Sequence, residues 1–93
     1  MPAQDGEKSD LKAKGLIASD VNLLVEKLPQ KAYAKIRYAH PLARCIVSRT
    51  SRTMKLIFQQ AQQAVTPGQS VVLYDRDTVV GGGVISEVLH GYN

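Results

Sequence analysis

Apolar and polar side chains alternate in several short segments of this chain, and turn residues separate the segments. In residues 31–38, Ala34 and Ile36 fall on one face of an extended backbone, while the polar side chains fall on the other. The same alternation recurs in residues 42–48 and 54–58. A period of two residues is typical of a β-strand with one face toward a core and the other toward solvent.

Turn residues also delimit strands in the second half of the chain. Thr66–Gln69 contains Pro-Gly, and Asp75–Asp77 is a hairpin turn between the apolar residues 70–74 and 78–85. For residues 16–25, the β-branched side chains and the proline that follows favour a kinked, extended segment over a short helix. Strands at intervals of about 8–12 residues predict an all-β fold, either a small barrel or a sandwich.

Length and composition place these strands in one small domain. The chain has 93 residues, of which 1–15 are polar and charge-dense, so we expect a flexible lead-in, a β-barrel domain over 16–86 and a tail over 87–93. The single cysteine and the lack of a signal peptide predict a protein of the reducing cytoplasm. No apolar run reaches the roughly 20 residues that a membrane-spanning helix needs, so we expect a soluble protein.

The charges are segregated along the sequence. No Asp or Glu occurs in the 47 residues from Leu28 to Tyr74. Seven cations fall within this stretch: Lys31, Lys35, Arg37, Arg44, Arg49, Arg52 and Lys55. Such segregation concentrates positive potential on one part of the surface, which favours a polyanionic partner, although a solvated basic face without a partner has the same pattern.

Residue types that could support catalysis do not form a recognisable site. Gly81–Gly83 lacks the Lys-Ser/Thr pair of a phosphate-binding loop and indicates instead a bulge, a tight barrel corner or a close backbone approach within a strand. Cys45 has no partner at metal-ligand spacing and lies between Ala43 and Val47 on an apolar face, which indicates a buried structural thiol. We therefore expect no catalytic, cofactor-binding or metal-binding residue in this chain.

Tyr33, Lys35 and Arg37 lie on the outward face of one predicted strand. An aromatic side chain interleaved with two cations is the arrangement with which proteins stack the bases of single-stranded or loop RNA and contact phosphates. The alternative is that Tyr33 packs on a neighbouring domain while the cations are solvated. His40 could contact a phosphate, or it could be an ordinary histidine of a turn.

Three segments resemble one known family. Ala34–Tyr38, Gln63–Tyr74 and Val80–Ile85 are similar, in order and spacing, to the C-terminal domain of bacterial tRNA-specific 2-thiouridylases, and the resemblance covers roughly residues 11 to 86. It implies an antiparallel barrel of six strands, similar to the barrel domains of translation factors. It also implies a parent enzyme that uses ATP to adenylate the wobble uridine of tRNA before a cysteine persulfide delivers sulfur.

The chain departs from that family where the chemistry takes place. The Ser-Gly-Gly-x-Asp-Ser loop that binds ATP in the family is absent, and Cys45 falls in the barrel region, so no catalytic role transfers to any residue here. The implied partners are tRNA, the N-terminal catalytic domain of the parent and, through that parent, a sulfur-donor relay protein. The candidate nucleic-acid-binding residues are Tyr33, Lys35, Arg37, His40, Arg44, Arg49, Arg52 and Lys55. The alternative function is a structural module that packs on the catalytic domain without contacting RNA.

Overall fold

A computed structural model describes residues 12–36 and 42–90 of the chain. These residues form six strands and no helix. The strands are β1 (Ala13–Leu23), β2 (Lys31–Lys35), β3 (Ala43–Arg49), β4 (Met54–Gln62), β5 (Ser70–Asp75) and β6 (Thr78–Leu89). Each one contains or overlaps a segment that the sequence predicts as extended.

The described strands close into a barrel with the order β1-β4-β3-β2-β5-β6, and β6 pairs with β1 to complete the ring. Every neighbouring pair is antiparallel. Closure removes the unpaired strand edges that an open sheet would expose. The predicted all-β class and the predicted small antiparallel barrel are both confirmed.

The barrel interior is filled by the alternating apolar positions of the strands. On β4, Met54 and Leu56 are completely buried and Phe58 is nearly so, while the intervening residues are exposed. Ala43, Cys45 and Val47 form the buried face of β3, as the alternation predicts. The same alternation directs every second side chain of these strands outward.

β1 bends as it crosses between β4 and β6. Its pairing register shifts between Ala13 and Gly15 against β4, and between Ser19 and Asn22 against β6. Asp20, inside the second shift, has a φ of 50°. Bulges of this kind bend a strand and increase its twist, which allows one strand to serve two sides of a closed barrel.

The two predicted turns are present. In Thr66–Gln69, Gly68 has a φ of 94°, and its backbone N–H donates to the Ile85 carbonyl at 2.8 Å. The return bond runs from Ile85 N–H to the Gln69 carbonyl, also at 2.8 Å, so this turn is fixed against β6. Between β5 and β6, Arg76 takes a φ of 60° at the first position of a short hairpin turn.

The three glycines of β6 lie where neighbouring backbones approach closely. A Cβ on Gly83 would lie 2.7 Å from the Ser19 carbonyl oxygen, and one on Gly82 would lie 2.6 Å from the Val71 carbonyl oxygen. We call this contact of Gly81–Gly83 with β1 and β5 the glycine seam. The close-approach interpretation of these glycines is confirmed.

β4 is longer than its alternating core pattern indicates. The polar run that starts at Gln59 continues the strand to Gln62, which pairs with Ala13 of β1. Backbone pairing with β1 extends the strand here, and most of its side chains remain exposed. β1 begins at Ala13 and β6 ends at Leu89, so strand pairing reaches past residues 16 and 86.

Across residues 12–36 and 42–90, the structure has no helix of the length and apolar character that spanning a membrane requires.

Candidate nucleic-acid interface

Three consecutive strands, β2, β3 and β4, present most of the described cations of the acid-free stretch. We call the outward side chains of these strands, together with Tyr74 of the neighbouring strand β5, the cation face. Since β3 pairs with β2 on one side and with β4 on the other, outward side chains at the same register form rows across the barrel. Three such rows can be followed.

The first row joins an arginine to two tyrosines. Arg44 on β3 lies opposite Tyr33 on β2, and Tyr33 lies opposite Tyr74 on β5. The guanidinium carbon of Arg44 is 5.8 Å from the centroid of the Tyr33 ring, within the range of a cation–π contact. Both tyrosines are half-buried, so this row places aromatic surface and a cation side by side at the barrel surface.

The second row is apolar at its centre. Ile46 on β3 lies opposite Ile57 on β4, and Lys31 of β2 lies opposite Ile46 at the other side. Ile46 is 48% exposed and Ile57 is 40% exposed, so two large apolar side chains face solvent together. Neither is needed to fill the interior, which takes the alternate positions of both strands.

The third row marks the limit of the cation face. Lys55 on β4 lies between Ser48 of β3 and Ile17 of β1. Ile17 is in turn opposite Glu87 of β6. Glu87 is therefore the first carboxylate beyond Lys55 in this row, and it lies on β6, outside the cation face.

The structure brings together only some of the predicted candidates. Tyr33 and Arg44 are direct neighbours, and Lys35 follows on the same face of β2, opposite Val72 of β5. Lys55 shares the cation face at the third row.

Arg49 and Arg52 lie apart from this group, at the tip of the hairpin between β3 and β4. There the Arg49 Nε donates to the carbonyl of Thr50 at 3.0 Å, and Thr50 N–H donates to the Thr53 carbonyl at 2.9 Å. A strand advances about 3.3 Å per residue, so Arg49 is about 17 Å along β3 from Arg44. A ligand at the first row would have to extend along the strands to reach them. Arg37 and His40 lie outside the described residues.

Cys45 belongs to the interior. Its side chain is only 4% exposed, and burial raises the pKa of the thiol to about 11. The desolvated thiol is therefore protonated at neutral pH, which opposes a nucleophilic role. In the described parts of the chain, 12–36 and 42–90, no three His, Cys, Asp or Glu residues come close enough to hold a metal ion.

Comparison with known proteins identifies the fold family. Residues 13–85 match the family model described as the aminomethyltransferase beta-barrel domain. The chain belongs to this family.

Curated relatives agree with the resemblance that the sequence motifs carry. The chain is 44% identical over 86 residues to tRNA-specific 2-thiouridylase MnmA 1 of Syntrophus aciditrophicus, which covers 92% of this chain and 23% of the relative. It is 46% identical over 88 residues to the MnmA of Clostridioides difficile, covering 90% of this chain and 24% of the relative. The predicted similarity to the C-terminal domain of the tRNA-specific 2-thiouridylases is confirmed. The chain spans about a quarter of the length of these relatives.

Four residues of the first two rows were not among the predicted binding residues: Lys31, Ile46, Ile57 and Tyr74. Tyr74 follows the alternation of β5 and is outward with Val72, a pattern that could have paired it with Tyr33. Ile46 and Ile57 occupy outward positions of their strands, and apolar residues at outward positions on neighbouring strands are a readable signal of a contact surface. Which strands are neighbours depends on the barrel order, which alternation does not specify.

Proposed function

We propose that this chain is the RNA-contacting barrel domain of a tRNA-modifying sulfurtransferase that 2-thiolates the wobble uridine. The domain helps to hold tRNA and does not itself carry the chemistry. Membership of the barrel family and similarity to proteins named tRNA-specific 2-thiouridylases support the tRNA assignment. Adenylation with ATP and sulfur transfer belong, in this proposal, to the part of the enzyme that this quarter-length chain does not cover.

The observation that carries the binding role is the first row of the cation face. Arg44, Tyr33 and Tyr74 place a cation and two aromatic rings next to each other on three neighbouring strands. Cations neutralise phosphates, and aromatic rings stack on bases, which together make a sequence-tolerant RNA contact. Residues 28–74 contain no Asp or Glu, so the strands β2, β3 and β4 contribute no carboxylate that would repel the phosphates.

Salt dependence tests the proposal directly. Binding of the 93-residue chain to an unmodified tRNA should weaken steeply between about 50 and 200 mM salt, because bound phosphates release counterions. With four phosphate contacts the loss is about 50- to 150-fold. Fluorescence anisotropy of labelled tRNA would measure it, and affinity that does not change across this range would contradict a phosphate-dominated contact.

A matched pair of charge reversals locates the contact. Arg44→Glu should weaken tRNA binding by about tenfold or more and reduce the salt slope by about 1. Lys27→Glu changes the net charge by the same amount in the exposed segment between β1 and β2, outside the cation face, and should change affinity little. Equal losses from both variants would mean that net charge alone, and not the cation face, attracts the RNA.

A second function is favoured by a separate apolar surface. Leu24 is 67% exposed, and its backbone N–H donates to the Val80 carbonyl at 3.0 Å, so it is bonded to the part of β6 in which Val79 is 39% exposed. In this alternative the barrel packs on the catalytic domain through these side chains and orients it without touching RNA. Retained tRNA affinity in Arg44→Glu, together with loss of domain docking in Leu24→Ser, would favour the packing role.

A further inference from the structure

The apolar pair of the second row forms the floor of a groove on the cation face. Ile46 and Ile57 lie directly opposite each other on β3 and β4 and are each at least 40% exposed. The pair therefore leaves adjoining apolar surface in contact with water. A ligand with an apolar flat surface would remove it from water.

The groove above this floor has a volume of about 580 Å³. That volume is in the range of small-molecule sites. Its outward lining consists of Lys31, Tyr33, Arg44, Ile46, Ile57 and Gln59. It therefore combines an aliphatic floor, an aromatic side chain, an amide and two cations within one concavity.

This combination matches the parts of a nucleotide. The isoleucines and the Tyr33 side chain offer apolar and aromatic surface to a base, and the Gln59 amide can both donate and accept hydrogen bonds at a base edge. Lys31 and Arg44 provide charges for the adjoining phosphates. A neutral protein surface would use the apolar floor but would leave the two cations without a partner of opposite charge.

Base pairing decides which form of RNA fits. In an A-form duplex the base faces are stacked inside the helix, and the surface presents phosphates and ribose hydroxyls. A duplex can meet Lys31 and Arg44 but leaves the isoleucine floor against polar groups. An unpaired base can be turned out of its stack and placed on the floor.

We propose that the groove over Ile46 and Ile57 binds one unpaired nucleotide of an RNA loop. This inference rests on the proposed function, since it requires that the chain contacts RNA, and it adds the form of RNA that the contact selects. Lys31, Ile46, Ile57 and Gln59 thereby gain a binding role beside Tyr33 and Arg44.

Isoleucine methyl spectra of the 93-residue chain test the groove with the protein intact. Ile46 and Ile57 report on the floor, and Ile85, which is 1% exposed, reports on the fold. Two RNAs serve as probes: a hairpin with a loop of seven unpaired nucleotides, and a fully paired duplex with the same number of phosphates. We expect the loop RNA to shift the two floor methyls through the ring current of the base, and the duplex to leave them nearly unchanged. Equal shifts with both RNAs, or none with the loop RNA, would overturn the proposal.

Substitutions separate stacking from charge. Ile57→Ala and Tyr33→Ala should each weaken binding of the loop RNA about fivefold or more, while duplex binding changes less than twofold. Lys55→Ala, on the third row and outside the groove lining, should weaken both RNAs by the same factor. The Ile85 methyl resonance verifies that each variant remains folded.

The outcomes distinguish this inference from the function on which it depends. If neither the wild-type chain nor Arg44→Glu binds either RNA, both the proposed function and the groove inference are overturned. Binding that depends on Arg44 but does not discriminate loop from duplex overturns the groove alone. Concentration-dependent shifts of the floor methyls without RNA would show that a second copy of the chain occupies the groove, which also contradicts the proposal.

Discussion

The cation face and the glycine seam are built from the same antiparallel barrel, yet side chains have opposite roles in them. On the cation face, Tyr33, Arg44 and Ile57 project outward, where Tyr33 is half-buried and the other two side chains are exposed. In the seam, Gly82 and Gly83 have no side chains, and the carbonyls of β5 and β1 occupy the space where a Cβ would be. Stability should therefore be sensitive to changes in the seam, and binding to changes on the face.

The largest effect is expected from adding a side chain in the seam. A Cβ on Gly83 would lie 2.7 Å from the Ser19 carbonyl oxygen and 3.3 Å from the Ala18 Cβ, so β1 would have to move away from β6. Gly83→Val should lower the free energy of unfolding by about 4 kcal/mol or more, which is a large share of a small domain's stability. Urea unfolding followed by circular dichroism would measure it.

Gly68→Ala is the control for this substitution. No atom lies within 4 Å of a Cβ at Gly68, and only its φ of 94° opposes a side chain. We expect Gly68→Ala to lower the free energy of unfolding by about 1–2 kcal/mol, because a residue with a Cβ is strained in a left-handed conformation. A loss from Gly83→Val no larger than this would show that the seam tolerates side chains and would remove its contrast with the cation face.

Neighbouring residues on β4 provide the second test. Leu56 is completely buried, whereas Ile57, the next residue, is 40% exposed. Leu56→Ala should cost about 2–5 kcal/mol because it leaves a cavity, and Ile57→Ala about 1 kcal/mol or less because water already reaches the side chain. Thermal and urea unfolding of the two variants would compare them. Similar losses in the free energy of unfolding would mean that Ile57 stabilises the fold as Leu56 does, which would argue against a role in ligand binding.

Alternation was sufficient to predict which side of β3 and β4 is buried, because one face of each strand must fill the interior. It placed Cys45 and Leu56 inward and Arg44 and Ile57 outward, and the structure agrees. Alternation does not predict which side chains meet in the groove. Tyr33 meets Arg44 and Tyr74 only because β2 lies between β3 and β5, and strand order depends on long-range closure that a local pattern does not encode.

The third test uses the buried thiol below the groove. Burial raises the pKa of Cys45 to about 11 from an ordinary value of 9.0. Between these values the unfolded chain releases the thiol proton while the folded chain retains it, so the unfolded state binds fewer protons and stability falls as pH rises. The stability difference between wild type and Cys45→Ala should therefore shrink by roughly 1–3 kcal/mol from pH 9 to pH 11.

Chemical unfolding at several pH values would follow that difference, and subtraction of the variant removes the contribution of tyrosines and lysines that titrate in the same range. A difference that is constant with pH would mean that the thiol is hydrated. The inner wall of the barrel beneath the groove would then be open to water, and the groove floor would be less rigid than its strand pairing indicates.

The smallest effect on stability is expected from the residue with the largest expected effect on binding. Arg44 is exposed, and its described contact is the cation–π pair with Tyr33, which contributes about 0.5–1 kcal/mol at exposed sites. Arg44→Ala should therefore change the free energy of unfolding by less than about 1 kcal/mol while it weakens RNA binding several-fold. Arg44→Lys keeps the charge but not the planar group that lies over the ring, so it should recover the phosphate contact better than the stability. If Arg44→Ala destabilised the chain as strongly as Leu56→Ala, the cation face would be part of the structural framework, and the weaker RNA binding would follow from loss of fold.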